Sequence, residues 1–196
     1  PDFTVTGAWH RPTPCDWQPP GDLIEFLEAG DPPVYVGFGS MSGFKGAATL
    51  RDRILDGLRG HRVLLASGWA GLTDATLPGN VHPVGHLPHD WLFPRCSVVV
   101  HHCGAGTSHQ AARSGVPTIP VPFTADQPFW ATRLRGLGIA TPSLNPRKLT
   151  SEEVRAALAQ ATSAPVRQQA VTVAQQMAAE PNGVATAIEH LQRLTR

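Results

Sequence analysis

Apolar residues in this chain gather into short runs, Val34-Tyr35-Val36 and Val98-Val99-Val100 among them. Between the runs lie longer stretches in which apolar positions recur every three or four residues. Runs that are apolar on both faces predict buried strands of a parallel sheet, and the helical recurrence predicts the helices that cover it. Strands are expected over 34–40, 62–67, 81–84, 97–101 and 118–121, and helices over 23–27, 47–58, 88–93, 107–114 and 127–137. Further helices are expected from Ser151, with Glu152 and Glu153 in the first turn where acidic groups favour a helix start, and over 165–179 and 183–194. This alternation predicts an α/β fold with a doubly wound parallel sheet.

Ligands of such sheets bind beyond the carboxyl ends of the strands. Three glycine-rich or polar stretches fall there: 37–42, 101–107 and 122–127. The second reads "HHCGAGT". Gly104 and Gly106 let the backbone approach a ligand, and a helix that opens near Gly106 turns its free amides and positive dipole end toward an anion. His102 and Thr107 add donors, and Ser40 can reach across from the neighbouring strand end. A diphosphate suits this set; the alternative for His102 is a satisfied core histidine. Asp126 and Gln127, at the third strand end, can read vicinal hydroxyls of a sugar, or Asp126 can be a helix N-cap.

Other chemistries fit less well. The exit Gly37-Phe38-Gly39-Ser40 lacks the spacing of a dinucleotide fingerprint, a P-loop or a nucleophile elbow. His101 and His102 are adjacent on a strand and point to opposite faces, and His82, His86 and His89 lack the spacing of a zinc site. No metal is expected.

Composition narrows the class further. With 16 basic against 15 acidic residues among 196, there is no excess of positive charge for nucleic acid or a membrane surface. No apolar run is long enough to span a membrane, and no signal peptide is visible. Cys15, Cys96 and Cys103 are odd in number and irregularly spaced, which predicts free thiols and a cytoplasmic location. Pro1 in place of a methionine predicts a fragment or a processed chain.

The stretches "PHDWLFPRCSVVVHHCGAGT", "GVPTIPVPFTADQPFWATRL", "PPVYVGFGSM" and "WQPPGDLIEFLEAG" together resemble the donor-binding half of nucleotide-sugar-dependent glycosyltransferases of the GT-B fold. The pattern is similar to sterol glucosyltransferases and to bacterial enzymes that glycosylate antibiotics and other natural products. The resemblance implies one Rossmann-like half of such an enzyme, covering nearly the whole chain. It implies that Ser40, His102, Gly104, Ala105, Gly106 and Thr107 hold the diphosphate and that Asp126 and Gln127 read the hexose. It also places Gly85, His86 and Leu87 against the pyrimidine and Gln110 near the ribose. Trp69 is either an aromatic neighbour of the base or a packing residue. Plant members carry Trp in place of Val84 and Glu in place of Gln110; Cys103, glycine in the sterol enzymes, is read as structural.

By the same resemblance, residues 1–20 are an interdomain linker and residues 21–180 the donor domain. Residues 181–196 form a helix that braces an N-terminal domain. That missing half carries the acceptor pocket and the general base, so no catalytic residue is expected in this chain. The implied reaction is inverting transfer of a hexose from UDP-glucose, with a dTDP-sugar as the alternative donor, to a hydroxyl of a small lipophilic acceptor. No cofactor is implied beyond the donor itself. The rival reading is a nucleotide-sugar-binding subunit without activity of its own, working with a separate acceptor-binding chain.

Overall fold

The computed structural model describes residues 3–10, 12–39, 46–67 and 77–194. The expected strands are β1 (Val34–Gly37), β2 (Val63–Ala66), β3 (Val81–Val84), β4 (Val98–His101) and β5 (Thr118–Pro120). They form one sheet in the order β3-β2-β1-β4-β5, and every neighbouring pair is parallel. Helix α1 (Gly21–Glu28) precedes the strands, α2 (Ala47–Gly57), α3 (His89–Leu92) and α4 (Ala105–Arg113) fall among them, and α5 (Gln127–Gly136), α6 (Ser151–Ala161), α7 (Ala164–Ala178) and α8 (Gly183–Leu194) follow. Among the described residues, no helix is long and apolar enough to cross a membrane.

Alternation along each strand divides the core between the two faces of the sheet. Val34, Val36, Val63, Leu65, Val98 and Val100 pack with Leu50 and Ile54 of α2 and Val154 and Leu158 of α6. Tyr35, Leu64 and Val99 turn the other way, toward Leu23 of α1, Leu92 of α3 and Ala111 of α4. Burying both faces explains why these strands read as continuous apolar runs rather than as alternating ones. α6 starts as its sequence suggests: Thr150 and Glu153 form a reciprocal capping box.

Two boundaries differ from expectation in ways that matter for function. β1 ends at Gly37 rather than at residue 40, because Gly39 is left-handed (φ 59°) and turns the chain out of the sheet. α4 starts at Ala105, two residues before Thr107, so the glycine-rich stretch supplies the first helical turn.

The described part of segment 1–20 forms no helix or strand, makes one turn closed by the Trp17 amide on the Pro14 carbonyl, and touches the domain at a few points. The Thr13 amide and hydroxyl both donate to the Asp90 carboxylate, at 2.7 and 2.5 Å, and Trp17 meets Trp91 edge to face. Near its start, Thr4 lies 3.4 Å from His190 of α8.

Candidate functional site

β1 and β4 are neighbours in space, and the strand order reverses between them, which is where an open α/β sheet leaves a crevice for a ligand. Gly37 is in register with His101, so the two strands end side by side. The chain leaves β4 through Cys103, whose φ is 64°. That conformation costs a non-glycine residue about 1–2 kcal/mol. Gly104, in contrast, has ordinary extended angles (φ −61°, ψ 145°) and serves as the N-cap of α4. The turn therefore falls one residue before the glycine that seemed to provide it.

Gly104 is small for a different reason. A β-carbon there would lie 2.6 Å from Nε2 of His102, and one on Gly39 would lie 3.0 Å from Cε1 of the same ring. The imidazole is thus slotted between two glycines from adjacent strand ends. Burial lowers its pKa, opposed by the Gly37 carbonyl and the Asp126 carboxylate. The ring is held at the mouth of α4 by these two close approaches.

α4 brings further donors to the same place. Its first internal hydrogen bond runs from the Ser108 amide to the Gly104 carbonyl, so the amides of Ala105, Gly106 and Thr107 have no acceptor within the helix. No side chain caps this end, and a β-carbon on Gly106 would meet nothing within 4 Å. Open amides, a positive helix end and a neighbouring imidazole together suit a diphosphate.

A cavity of about 740 Å³ extends from this helix end. Ala105, Gly106, His109, Gln110 and Arg113 of α4 line one side, and the segment from His86 to Asp90 lines another. Residues of the N-terminal segment, including Trp9, His10, Thr13 and Trp17, complete the lining. Leu87 packs its side chain into the core, so only its backbone can meet a base; Gly85 and His86 are exposed. Gln110 donates one side-chain N–H to Ser114 Oγ at 3.0 Å, leaving its oxygen and its second N–H as the groups that can face a ribose.

Asp126 occupies the cap position of α5 but makes no capping hydrogen bond with its side chain. Its carboxylate instead accepts the indole N–H of Trp130 at 2.8 Å, and Trp130 in turn meets His109 edge to face. Gln127 is buried, and its side-chain oxygen accepts the amides of Phe123 and Thr124 at 2.7 and 3.1 Å. It holds the loop that presents Asp126, whose neighbour Ala125 is left-handed (φ 55°). Ser40 and Trp69 lie outside the described residues.

Sequence reasoning missed three things here. The Asp90–Thr13 clamp joins residues 77 positions apart, and the local sequence gives no sign of it. Trp130, four residues after Asp126 on the same helix, could have been found from helical spacing alone. His101, fully buried on β4, also has a local role: its Nδ1 accepts the Cys103 amide at 3.1 Å. The Cys103 thiol is buried, with its pKa pushed up to about 12, which makes it inert. Among the described residues, no three His, Cys, Asp or Glu side chains converge to hold a metal.

With this geometry in place, comparison with known proteins places the chain. The family described as erythromycin biosynthesis protein CIII-like, C-terminal domain, matches residues 63–192, and the chain belongs to that family. A sterol 3-beta-glucosyltransferase of Arabidopsis thaliana is 35% identical over 192 residues, covering 96% of this chain and 30% of that protein. The vancomycin aglycone glucosyltransferase of Amycolatopsis orientalis is 40% identical over 176 residues, covering 88% of this chain and 42% of that protein. Among solved structures, the glycosyltransferase SnogD from Streptomyces nogalater matches with a TM-score of 0.63 and 27% identity, over 94% of this chain and 48% of that one. Glycosyltransferase VinC, solved in complex with dTDP, shares the fold at a TM-score of 0.69 and 24% identity, over 86% of this chain and 43% of that one. The fold is that of a GT-B glycosyltransferase domain, and the chain spans less than half the length of each of these proteins.

Proposed function

We propose that this chain is the donor-binding half of an inverting glycosyltransferase. It takes a nucleoside-diphosphate hexose, UDP-glucose foremost and a dTDP-sugar as the alternative, and delivers the hexose to a hydroxyl of a lipophilic acceptor. The observation that carries this reading is the open first turn of α4 with the His102 ring slotted beside it. The diphosphate rests on the amides of Ala105, Gly106 and Thr107, with the nucleoside in the adjoining cavity. Asp126 reads the hexose hydroxyls from the next strand end.

In the reaction, the acceptor oxygen bonds to the anomeric carbon from the face opposite the diphosphate. The bond from that carbon to the diphosphate oxygen breaks, and the nucleoside diphosphate leaves with the electron pair. Configuration at the carbon inverts. The acceptor proton goes to a base on an N-terminal domain that this chain does not include. The part played by this half is electrostatic: donors already in place meet the charge that grows on the departing phosphate. The free cysteines fit a cytoplasmic enzyme.

Titration calorimetry of the 196-residue chain with UDP, UDP-glucose, dTDP and dTDP-glucose, each with and without a chelator, tests the reading. Binding that persists under chelation supports it. Absence of binding by all four ligands overturns it.

A further inference from the structure

His101 precedes the phosphate-facing stretch and is fully buried, so it has no route to a ligand. Its two ring nitrogens are treated unequally. Nδ1 accepts the amide hydrogen of Cys103, and therefore carries the lone pair. The proton of the neutral ring then sits on Nε2, which is enclosed and has no hydrogen-bond partner among the described residues. A leucine would fill this space without burying an unsatisfied N–H. What only the imidazole supplies is the acceptor at Nδ1.

That acceptor serves the one strained residue of the turn. Cys103 is left-handed without being a glycine, and it links His102 to the first turn of α4. A side chain that accepts the amide two residues ahead is the arrangement of an Asx-turn, here made by a histidine ring. The His101 carbonyl takes part as well, accepting the Val121 amide at 2.8 Å from the segment after β5. The residue thus ties the turn to the sheet through its side chain and its carbonyl together.

We infer that His101 is a positioning residue for the diphosphate site: its Nδ1 braces the left-handed Cys103, which sets the angle between the His102 ring and the open amides of Ala105–Thr107. The inference rests on the donor reading above, and it adds a residue that never touches the donor.

Four variants of the full chain test it: His101→Leu, His101→Asn, His101→Gln, and His101→Leu combined with Cys103→Gly. Asparagine can accept the amide two residues ahead, whereas glutamine is one carbon too long for that turn. Glycine adopts the left-handed conformation without a brace. The Leu and Gln variants should bind UDP about tenfold more weakly, the ratio that the cost of one left-handed residue supports, with uridine unchanged. The Asn variant and the Leu/Gly double variant should return to within about threefold of the parent.

Parental UDP affinity in both Leu and Gln variants, or no recovery in either the Asn or the double variant, overturns the inference. Should the Leu variants fail to fold, the Asn and Gln pair decides alone. The amide resonances of residues 105–107 give a readout that needs no ligand. If the parent chain itself does not bind UDP, the donor reading falls and these resonances judge His101. Displacement in the Gln variant with restoration in the Asn variant supports the brace; unmoved resonances in the Gln variant overturn it.

Discussion

A β-carbon on Gly104 would lie 2.6 Å from Nε2 of His102, closer than two such atoms approach. The glycine and the imidazole therefore specify one another: the ring stands where it does because position 104 has no side chain. Gly104→Ala should push the ring off the helix mouth and weaken UDP binding about tenfold or more, the scale of one hydrogen bond to a charged group. Uridine affinity should not change. Unaltered UDP affinity in a folded Gly104→Ala protein would show that the ring is not a phosphate ligand.

Asp126 offers a sharper test of sugar reading than its cap position suggested. Because its side chain caps nothing, Asp126→Ala should cost less than the roughly 1 kcal/mol of a lost N-cap. Discrimination between UDP-glucose and UDP-galactose should collapse while UDP affinity holds. Trp130→Phe keeps the carboxylate but removes the indole that orients it, and should give an intermediate loss of discrimination. Donor affinities measured beside a thermal melt check both; an unchanged glucose-to-galactose ratio in Asp126→Ala contradicts the role.

Much of the fold could be read in the sequence because burial on both sheet faces leaves a plain mark. Val98-Val99-Val100 can only be an interior strand, and Glu152 and Glu153 advertise the start of α6. The glycine-rich exit from β4 into the start of a helix was also legible. Its mechanics were not, since the left-handed residue is Cys103 and the role of Gly104 is to clear space for a side chain two positions earlier. Spacing reveals that a glycine is required but not which atom it makes room for. The Thr13–Asp90 clamp was hidden more deeply, because a proline-rich segment reads as a linker whether or not it docks.

That clamp fixes one wall of the cavity, so its loss should affect the nucleoside rather than the phosphate. Thr13→Val should weaken uridine and UDP by similar factors, unlike Gly104→Ala. Burial raises the Asp90 pKa, but the Thr13 hydrogen bonds, together with those from the Trp91 and Asp90 amides, outweigh it and leave the carboxyl below its ordinary value. A depressed carboxyl contributes stability above its unfolded pKa and loses it as pH falls through the folded value. Docking should therefore persist at neutral pH and release only below the ordinary carboxylate range. Tryptophan fluorescence from Trp9 and Trp17 reports it; release near neutral pH would contradict the assignment.

The buried histidines predict a second pH dependence with a different window. Burial, and then His86, lowers the His89 pKa from 6.5 to about 4, and burial lowers that of His101 to about 3. Between pH 6.5 and 4 the unfolded chain binds protons that the folded chain refuses, so stability falls as pH falls. His89 stacks on Phe93 with ring centres 4.4 Å apart, so His89→Phe keeps the packing and removes one titration. Its unfolding free energy should decline less steeply over that range than the parent's. Equal slopes in denaturant titrations at successive pH values would show that His89 is not a suppressed base.

The central claim is that the mouth of α4 and His102 hold a diphosphate. Paired calorimetric titrations of the parent and of His102→Ala, with UDP and with uridine, test it most directly. The account predicts that His102→Ala loses about one to two decades of UDP affinity, as expected for one hydrogen bond to a charged acceptor, and binds uridine as the parent does. Equal losses for uridine and UDP, or undiminished UDP binding by the variant, would contradict it.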